Sequence, residues 1–103
     1  MAVIQETNKL TISADGQSDV LDLGQYNYKV FVKYAGGASG TLTMKMGDQE
    51  DELISVPTPD GAGGVEATFT ADKVFEISGG GLLGFSASGL SGTILVTITE
   101  LFA

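Results

Sequence analysis

The stretch that decides the fold runs from Tyr26 to Gly47 and reads Tyr-Asn-Tyr-Lys-Val-Phe-Val-Lys-Tyr-Ala, then Gly-Gly-Ala-Ser-Gly, then Thr-Leu-Thr-Met-Lys-Met-Gly. Apolar and polar side chains alternate with a period of two on both sides of the glycine-rich segment, as they do in strands with one buried face. Two such runs around a short glycine loop are typical of a β-hairpin. The sequence therefore predicts a hairpin over 26–47, whose apolar face needs a second sheet to cover it.

The rest of the chain is a succession of short runs separated by glycine, proline and aspartate turns. Flanking strands are predicted at 2–6, 9–14 and 18–23, further strands at 53–56, 65–71, 73–78, 82–87 and 93–100, and a surface loop at 57–64. No segment has the apolar spacing of a helix. Seven to nine strands at intervals of roughly 8 to 12 residues predict one all-β domain over residues 1–103, an antiparallel β-sandwich of the jelly-roll or immunoglobulin-like kind.

The chain carries thirteen acidic residues against five lysines, which gives a net charge of −8, and it contains no arginine, histidine or cysteine. This acidity disfavours binding to nucleic-acid phosphates and to anionic lipid surfaces. No apolar run has the length that spans a bilayer, and the N-terminus lacks the basic and apolar regions of a signal peptide. We therefore expect synthesis in the cytoplasm, with neither nucleic acid nor membrane as a partner.

Two stretches of the sequence partly match known ligand-binding motifs, but each lacks other features that its motif requires. Gly79, Gly81 and Gly84 match the dinucleotide pattern G-x-G-x-x-G, yet a serine- and glycine-rich run of β character follows them where a helix is required. We predict a hairpin turn there. The run Asp48–Glu52 offers carboxylates to Ca²⁺ but lacks the glycine and the spaced glutamate of an EF-hand loop, so a solvated acidic loop is predicted. No cofactor and no metal site are expected.

Catalysis is not expected either. A serine triad needs a histidine base, and a serine–lysine arrangement needs a buried lysine, whereas the lysines of this chain occupy the polar positions of alternating runs. Carboxylate pairs can cleave glycosides, but the chain has no tryptophan to form a sugar platform and no histidine to act near neutral pH. We predict that the protein is not an enzyme and has no catalytic residues.

Three tyrosines, Tyr26, Tyr28 and Tyr34, share one face of the predicted strand with its valines. They could form an aromatic binding strip, but because they lie on the same face as the apolar valines, packing in the core or in an interface is favoured.

Phe31 and Leu95 are the candidate interface residues. Phe31 lies on the polar face of its strand between Lys29 and Lys33, and Leu95 lies among threonines. A large apolar side chain in such a place either packs under a neighbouring strand or meets a partner chain. The apolar content of 43% is also high for a small solvated domain, which favours a partner surface.

The order and spacing of strands and turns resemble those of the small β-sandwich virion proteins of tailed bacteriophages. The resemblance rests on four parts of the chain. These are the opening Leu10-Thr-Ile-Ser-Ala-Asp-Gly-Gln-Ser-Asp-Val-Leu-Asp-Leu-Gly, the strand from Tyr28 to Ala35 followed by Gly-Gly-Ala-Ser-Gly-Thr-Leu-Thr-Met-Lys-Met, the run Thr-Phe-Thr-Ala-Asp-Lys-Val-Phe-Glu-Ile-Ser that begins at Thr68, and the closing Gly-Leu-Ser-Gly-Thr-Ile-Leu-Val-Thr-Ile-Thr-Glu-Leu. Members of this family often carry tryptophan in their inner strands, and this chain has none.

This resemblance implies a structural protein of the virion. Such proteins decorate or cement the capsid exterior by non-covalent binding to the major capsid protein, often as homo-oligomers and in particular as trimers, or they form head fibres and tail parts. A capsid decoration protein is therefore the expected function. The alternative is a carbohydrate-binding or adhesin module of a head or tail fibre.

Overall fold

The computed structural model describes residues 7–101, and all of the regular secondary structure in this part of the chain is strand. The strands are β1 (Thr7–Ile12), β2 (Gly16–Gln17), β3 (Leu21–Asp22), β4 (Asn27–Gly47), β5 (Ile54–Ser55), β6 (Thr58–Pro59), β7 (Val65–Glu66), β8 (Lys73–Ser78) and β9 (Leu82–Leu101). Every pairing between them is antiparallel. The prediction of an all-β antiparallel fold with seven to nine strands is confirmed.

Two long strands, β4 and β9, form the frame of the molecule. They pair from Asn27 opposite Leu101 to Gly47 opposite Leu82. A strand rises about 3.3 Å per residue, so a straight strand as long as β9 would reach about 66 Å. The longest dimension of the molecule is only 41 Å. The β4–β9 ribbon therefore bends back on itself.

Glycines make this bend possible. Gly36, Gly37 and Gly40 in β4 and Gly89 and Gly92 in β9 all have positive φ, a conformation that other residues adopt at a cost. The pairing register shifts between Ala35 and Thr41, as it does at a β-bulge. The predicted hairpin over 26–47 is thus wrong: the glycine segment bends one continuous strand, and its partner on both sides of the bend is β9.

The bend divides the sheet into two layers that enclose one core. In the first layer the order is β1, β9, β4, β8, and in the second layer β2 and β3 flank β9, which pairs with β4 and then β5. The buried apolar residues come from both layers and form one cluster, which includes Val30, Val32, Ile94, Val96 and Ile98 from the first layer and Leu42, Met44, Leu83, Phe85 and Ala87 from the second. The fold is a β-sandwich made from one folded sheet.

The shorter predicted strands are only partly formed. β8 matches the strand predicted at 73–78, and the strands predicted at 82–87 and 93–100 are the two arms of β9. The runs 18–23, 53–56 and 65–71 each contain only a two-residue strand, and Phe69 adds a single bridge to Leu42. The run 9–14 corresponds to β1, and the run 2–6 lies outside the described residues.

The predicted surface loop at 57–64 is also more ordered than expected. β6 and β7 pair in a small two-stranded ribbon, and Asp60 closes its tip. The Asp60 carboxylate accepts hydrogen bonds from the backbone N–H of Ala62 at 2.8 Å and of Gly64 at 3.0 Å. These two donors hold the pKa of Asp60 below its usual value.

The glycine triplet at 79–81 connects the two layers. β8 pairs with β4 in the first layer, whereas β9 begins beside Gly47 in the second, so the prediction of a hairpin turn here is wrong. The backbone N–H of Gly79 bonds to the carbonyl of Tyr26 at 2.7 Å, and that of Gly80 bonds to the carbonyl of Gly24 at 2.8 Å. Gly79 passes too close to Gly24 and Tyr28 for a side chain, a Cβ at Gly81 would lie 2.9 Å from the Gly47 carbonyl oxygen, and Gly80 has a positive φ.

Candidate interaction face

One surface of the first layer is an open sheet face. In antiparallel strands, residues directly opposite each other project to the same side of the sheet. The pairing registers therefore place one set of side chains together on the side away from the core, and we call this set the outer face: Lys9 and Thr11 of β1, Lys29, Phe31 and Lys33 of β4, Val74 and Glu76 of β8, and Leu95, Thr97 and Thr99 of β9.

Both predicted interface residues lie on the outer face, close to each other. Phe31 is opposite Val74 on one side and Thr97 on the other, and Leu95 is one diagonal step away. Phe31 is 39% exposed, Leu95 41% and Val74 57%. These fractions place the three side chains outside the core, so the apolar centre of the outer face lies open to solvent or a partner.

Val74 is a member of this centre that the sequence did not indicate. In the sequence it stands beside Phe75 and Ile77 in an apolar run, where its own exposure is not evident. Its position follows from the pairing of β8 with β4, which sets it against Phe31. Alternation with the buried Phe75 was the one available signal.

The charge of the outer face differs in sign from that of the whole chain. It holds three of the five lysines, Lys9, Lys29 and Lys33, and one carboxylate, Glu76. The remaining sequence therefore carries two lysines and twelve acidic residues. The Lys29 ammonium lies 5.7 Å from the centroid of the Phe31 ring, a cation–π distance. The outer face is thus an apolar centre with a basic rim.

Part of the corresponding surface of the second layer is covered by other segments of the same chain. Gly84 of β9 points away from the core, yet it is buried. A Cβ there would lie 3.4 Å from side-chain atoms of both Leu53 and Val20, so the segments that carry these residues pack over the sheet. No such cover is present over Phe31 and its neighbours within the described residues. The outer face is therefore the bare side of the sandwich.

A second feature is a cleft at the end of the first layer. Its volume is about 730 Å³, and the described residues that line it are neutral: Gln25, Tyr26, Asn27, Ser78, Gly79, Gly80 and Leu101. Tyr26 is 53% exposed there. The aromatic strip considered for the three tyrosines is not formed, because Tyr28 is buried in the core and Tyr34 is half-buried at the bend.

The carboxylates of the run Asp48–Glu52 are exposed and lie at the end of β4 in the second layer. Within residues 7–101 no group of three or more acidic residues is arranged to hold a metal ion. The same part of the chain contains no helix that could cross a membrane. The one ion pair among these residues joins Lys73 to Glu66, far along the chain from the acidic run.

Comparison with known proteins gives a likeness of fold. No family model matches the chain, and no curated protein matches its sequence. The crystal structure of the SPBc2 prophage-derived protein YomS is similar, with a TM-score of 0.67 over 97% of this chain and 96% of that one, at 14% sequence identity. At this identity the match establishes a shared fold over nearly the full length of both chains.

Proposed function

We propose that this chain is a structural protein of a tailed-bacteriophage virion. In this role it attaches to the outside of the head by non-covalent binding to the major capsid protein and acts without covalent chemistry. The observation that carries the proposal is the outer face, a bare apolar centre of Phe31, Leu95 and Val74 on a sandwich whose other side is covered around Gly84. Exposed apolar patches with polar rims are typical of protein–protein contact sites.

Two further findings support the phage setting. The spacing of strands and turns in the sequence resembles that of small virion proteins of tailed phages, and the prophage-derived protein YomS has a similar fold. The net charge of −8 suits a protein that remains outside the head, away from the packaged nucleic acid. The trimeric state remains a prediction.

The test is to replace Phe31 by Asp and measure binding to phage heads. Because Phe31 lies outside the core, the variant should fold, and its far-UV circular dichroism should match that of the wild type with a cooperative thermal unfolding transition. Loss of a central aromatic contact should weaken head binding by about 2 kcal/mol, or roughly 30-fold. Co-sedimentation with heads that lack the protein, over a range of concentrations, measures this change.

Val65→Asp is the matched control. Val65 is 66% exposed, but it lies in the β6–β7 ribbon and not on the outer face. The same substitution there adds the same charge and should leave head binding unchanged. Wild-type protein that never sediments with heads would contradict the virion role, and equal binding by the two variants would contradict the role of the outer face.

A glycan-binding module is the second candidate function, and the cleft beside Tyr26 favours it. An exposed aromatic ring stacks on sugar faces, and the amides of Gln25 and Asn27 with the hydroxyl of Ser78 can pair with sugar hydroxyls. A glycan array should then show binding that Tyr26→Ala abolishes and Phe31→Asp preserves. An array without binding would remove this candidate and leave the first one intact.

A further inference from the structure

The chain carries two surfaces that complement each other. One is the outer face, with its apolar centre and the lysines Lys9, Lys29 and Lys33. The other, which we call the acidic corner, consists of the exposed Asp48, Glu50, Asp51 and Glu52 with Ile54, whose side chain is 69% exposed. We propose that the outer face of one copy docks on the acidic corner of a second copy. This inference rests on the proposed assembly role, and it makes a second copy, not the major capsid protein, the direct partner of the outer face, so that linked copies bind the head together.

The two surfaces match in both their apolar and their charged groups. Ile54 can cover part of the Phe31 and Leu95 centre, while the carboxylates beside it meet the lysines around that centre. Opposite charges at a rim raise the association rate and select the partner. In the described residues neither Lys9 nor Lys33 has an ion-pair partner, and the acidic corner has none either. Both sets of charges are therefore available to another molecule.

The two surfaces cannot satisfy each other within one molecule. The outer face belongs to the first layer, whereas the acidic corner follows the end of β4 in the second layer and adjoins β5. Gln17 of β2 lies beside the corner, with its side-chain amide 3.4 Å from the carbonyl oxygen of Glu50. An outer face that binds the acidic corner must then belong to another copy.

The charges also disfavour a symmetric contact between two outer faces or between two acidic corners. Two outer faces placed together would oppose lysines to lysines, and two acidic corners would oppose carboxylates, which is unfavourable in either case. A contact between the face of one copy and the corner of another is heterologous, so a pair of copies keeps one free face and one free corner. Such contacts continue into a closed ring or an open chain of copies, as a layer on a lattice requires. Several linked copies would also hold to a head more firmly than one.

The experiment uses two variants that each damage one surface. The face variant is Lys9→Glu with Lys33→Glu, and the corner variant is Asp48→Lys with Asp51→Lys; all four side chains are exposed. Sedimentation velocity over a range of protein concentrations measures the association of each. We expect the wild type to associate and each variant to associate at least roughly tenfold more weakly, because like charges then face each other.

Mixing the two variants gives the decisive result. The intact corner of the face variant can meet the intact face of the corner variant, so an equimolar mixture should regain association that neither variant shows alone. Ser88→Glu with Ser91→Glu, and the same pair changed to Lys, are the charge controls. Both serines are exposed at the bend, away from the two surfaces, and these controls should associate like the wild type.

Three outcomes would overturn the inference: a monomeric wild type at all concentrations, association that only the face variant loses, and a mixture that does not recover. None of them decides the proposed function, because head binding is measured separately. If the outer face binds the major capsid protein directly, the corner variant should bind heads like the wild type. If a second copy occupies the face, both variants should bind heads more weakly and their mixture should recover.

Discussion

Gly79 has the least space around it of any glycine in the described chain. A Cβ there would lie 2.3 Å from the Gly24 carbonyl oxygen and 2.4 Å from a ring carbon of Tyr28, both far inside van der Waals contact. Gly79→Ala should therefore displace the crossing between the layers and lower the free energy of unfolding by about 3 kcal/mol. Denaturant unfolding monitored by circular dichroism measures this loss.

Gly84→Ala is the control for that prediction. A Cβ at Gly84 would meet Leu53 and Val20 at 3.4 Å, an ordinary contact distance, and the residue has no positive φ. The substitution should be neutral or raise stability by up to about 1 kcal/mol, since alanine reduces the entropy of the unfolded chain. Equal losses at the two positions would show that the space around Gly79 is not the cause.

Tyr34 should make stability depend on alkaline pH. Partial burial, and then the charge of Asp72, raise the pKa of the Tyr34 phenol above its ordinary value of 10.0. The folded state keeps the proton where the unfolded state has lost it, so stability falls as the pH rises above the unfolded pKa. Tyr34→Phe should remove this contribution to the fall in the free energy of unfolding with pH. The range to measure is roughly pH 9 to 12, which spans the ordinary tyrosine pKa.

The same variant also loses a hydrogen bond at neutral pH. The Tyr34 hydroxyl lies 3.0 Å from the carbonyl oxygen of Gly40 and 3.3 Å from that of Phe69. Its removal should lower stability by about 1 kcal/mol. Thermal melts at a series of pH values measure both effects, and a variant whose slope equals that of the wild type would contradict the assignment to Tyr34.

For single residues, the sequence correctly predicted the side of the strand on which Phe31 and Leu95 lie. Alternation alone placed Phe31 and Leu95 on the polar side of their strands, because the period of two is a local property. Their closeness, and the addition of Val74, depend on which strands are neighbours. Pairing between distant segments is not encoded locally, so the apolar centre as a whole could not be predicted.

Among the elements, the 26–47 segment shows where local reasoning fails. The residues Tyr28, Val30 and Val32 before the glycines and Leu42 and Met44 after them alternate in the same way whether the chain reverses or only bends. A hairpin needs the two runs to pair with each other, whereas here both pair with β9. A signal was present in the second glycine cluster, Gly89 and Gly92, which faces the first one across the ribbon.

Replacing Gly92 at the bend should lower the stability of the protein more than replacing Gly89. Gly92 has a φ of +85°, and a Cβ there would lie 2.9 Å from the Ala38 Cβ, whereas Gly89 has a φ of +64° with nothing within 4 Å. Gly89→Ala should therefore lower the free energy of unfolding by only about 1 kcal/mol, through backbone strain. Gly92→Ala adds a steric clash and should lose about 2 to 4 kcal/mol in total.

Urea unfolding of the two variants compares these losses directly. Gly89→Asn provides a further control, since asparagine tolerates this backbone conformation and should lose less than alanine. If Gly92→Ala is no less stable than Gly89→Ala, close packing of the two strands at the bend is not required for the fold.

For the whole molecule, folding one ribbon into two layers separates the charges. The polar positions of the first arm of β4 carry Lys29 and Lys33, while the chain that leaves the second arm carries the run Asp48–Glu52. The bend sends these two parts into different layers. The composition predicted an acidic protein but not this asymmetry, because the positions of the charges in space follow from the bend.

The separation of charge leads to a prediction about salt. If the outer face of one copy binds the acidic corner of another, the charged rim is solvent-exposed and is screened by added ions. Between about 0.1 and about 1 M sodium chloride the Debye length falls from about 10 Å to about 3 Å. The association constant of the wild type, measured by sedimentation velocity, should then fall by at least roughly tenfold. A contact made by Phe31, Leu95 and Ile54 alone would keep its strength or gain some, because apolar burial does not depend on screening. Association that is unchanged or stronger in high salt would therefore contradict the role of the lysines and carboxylates.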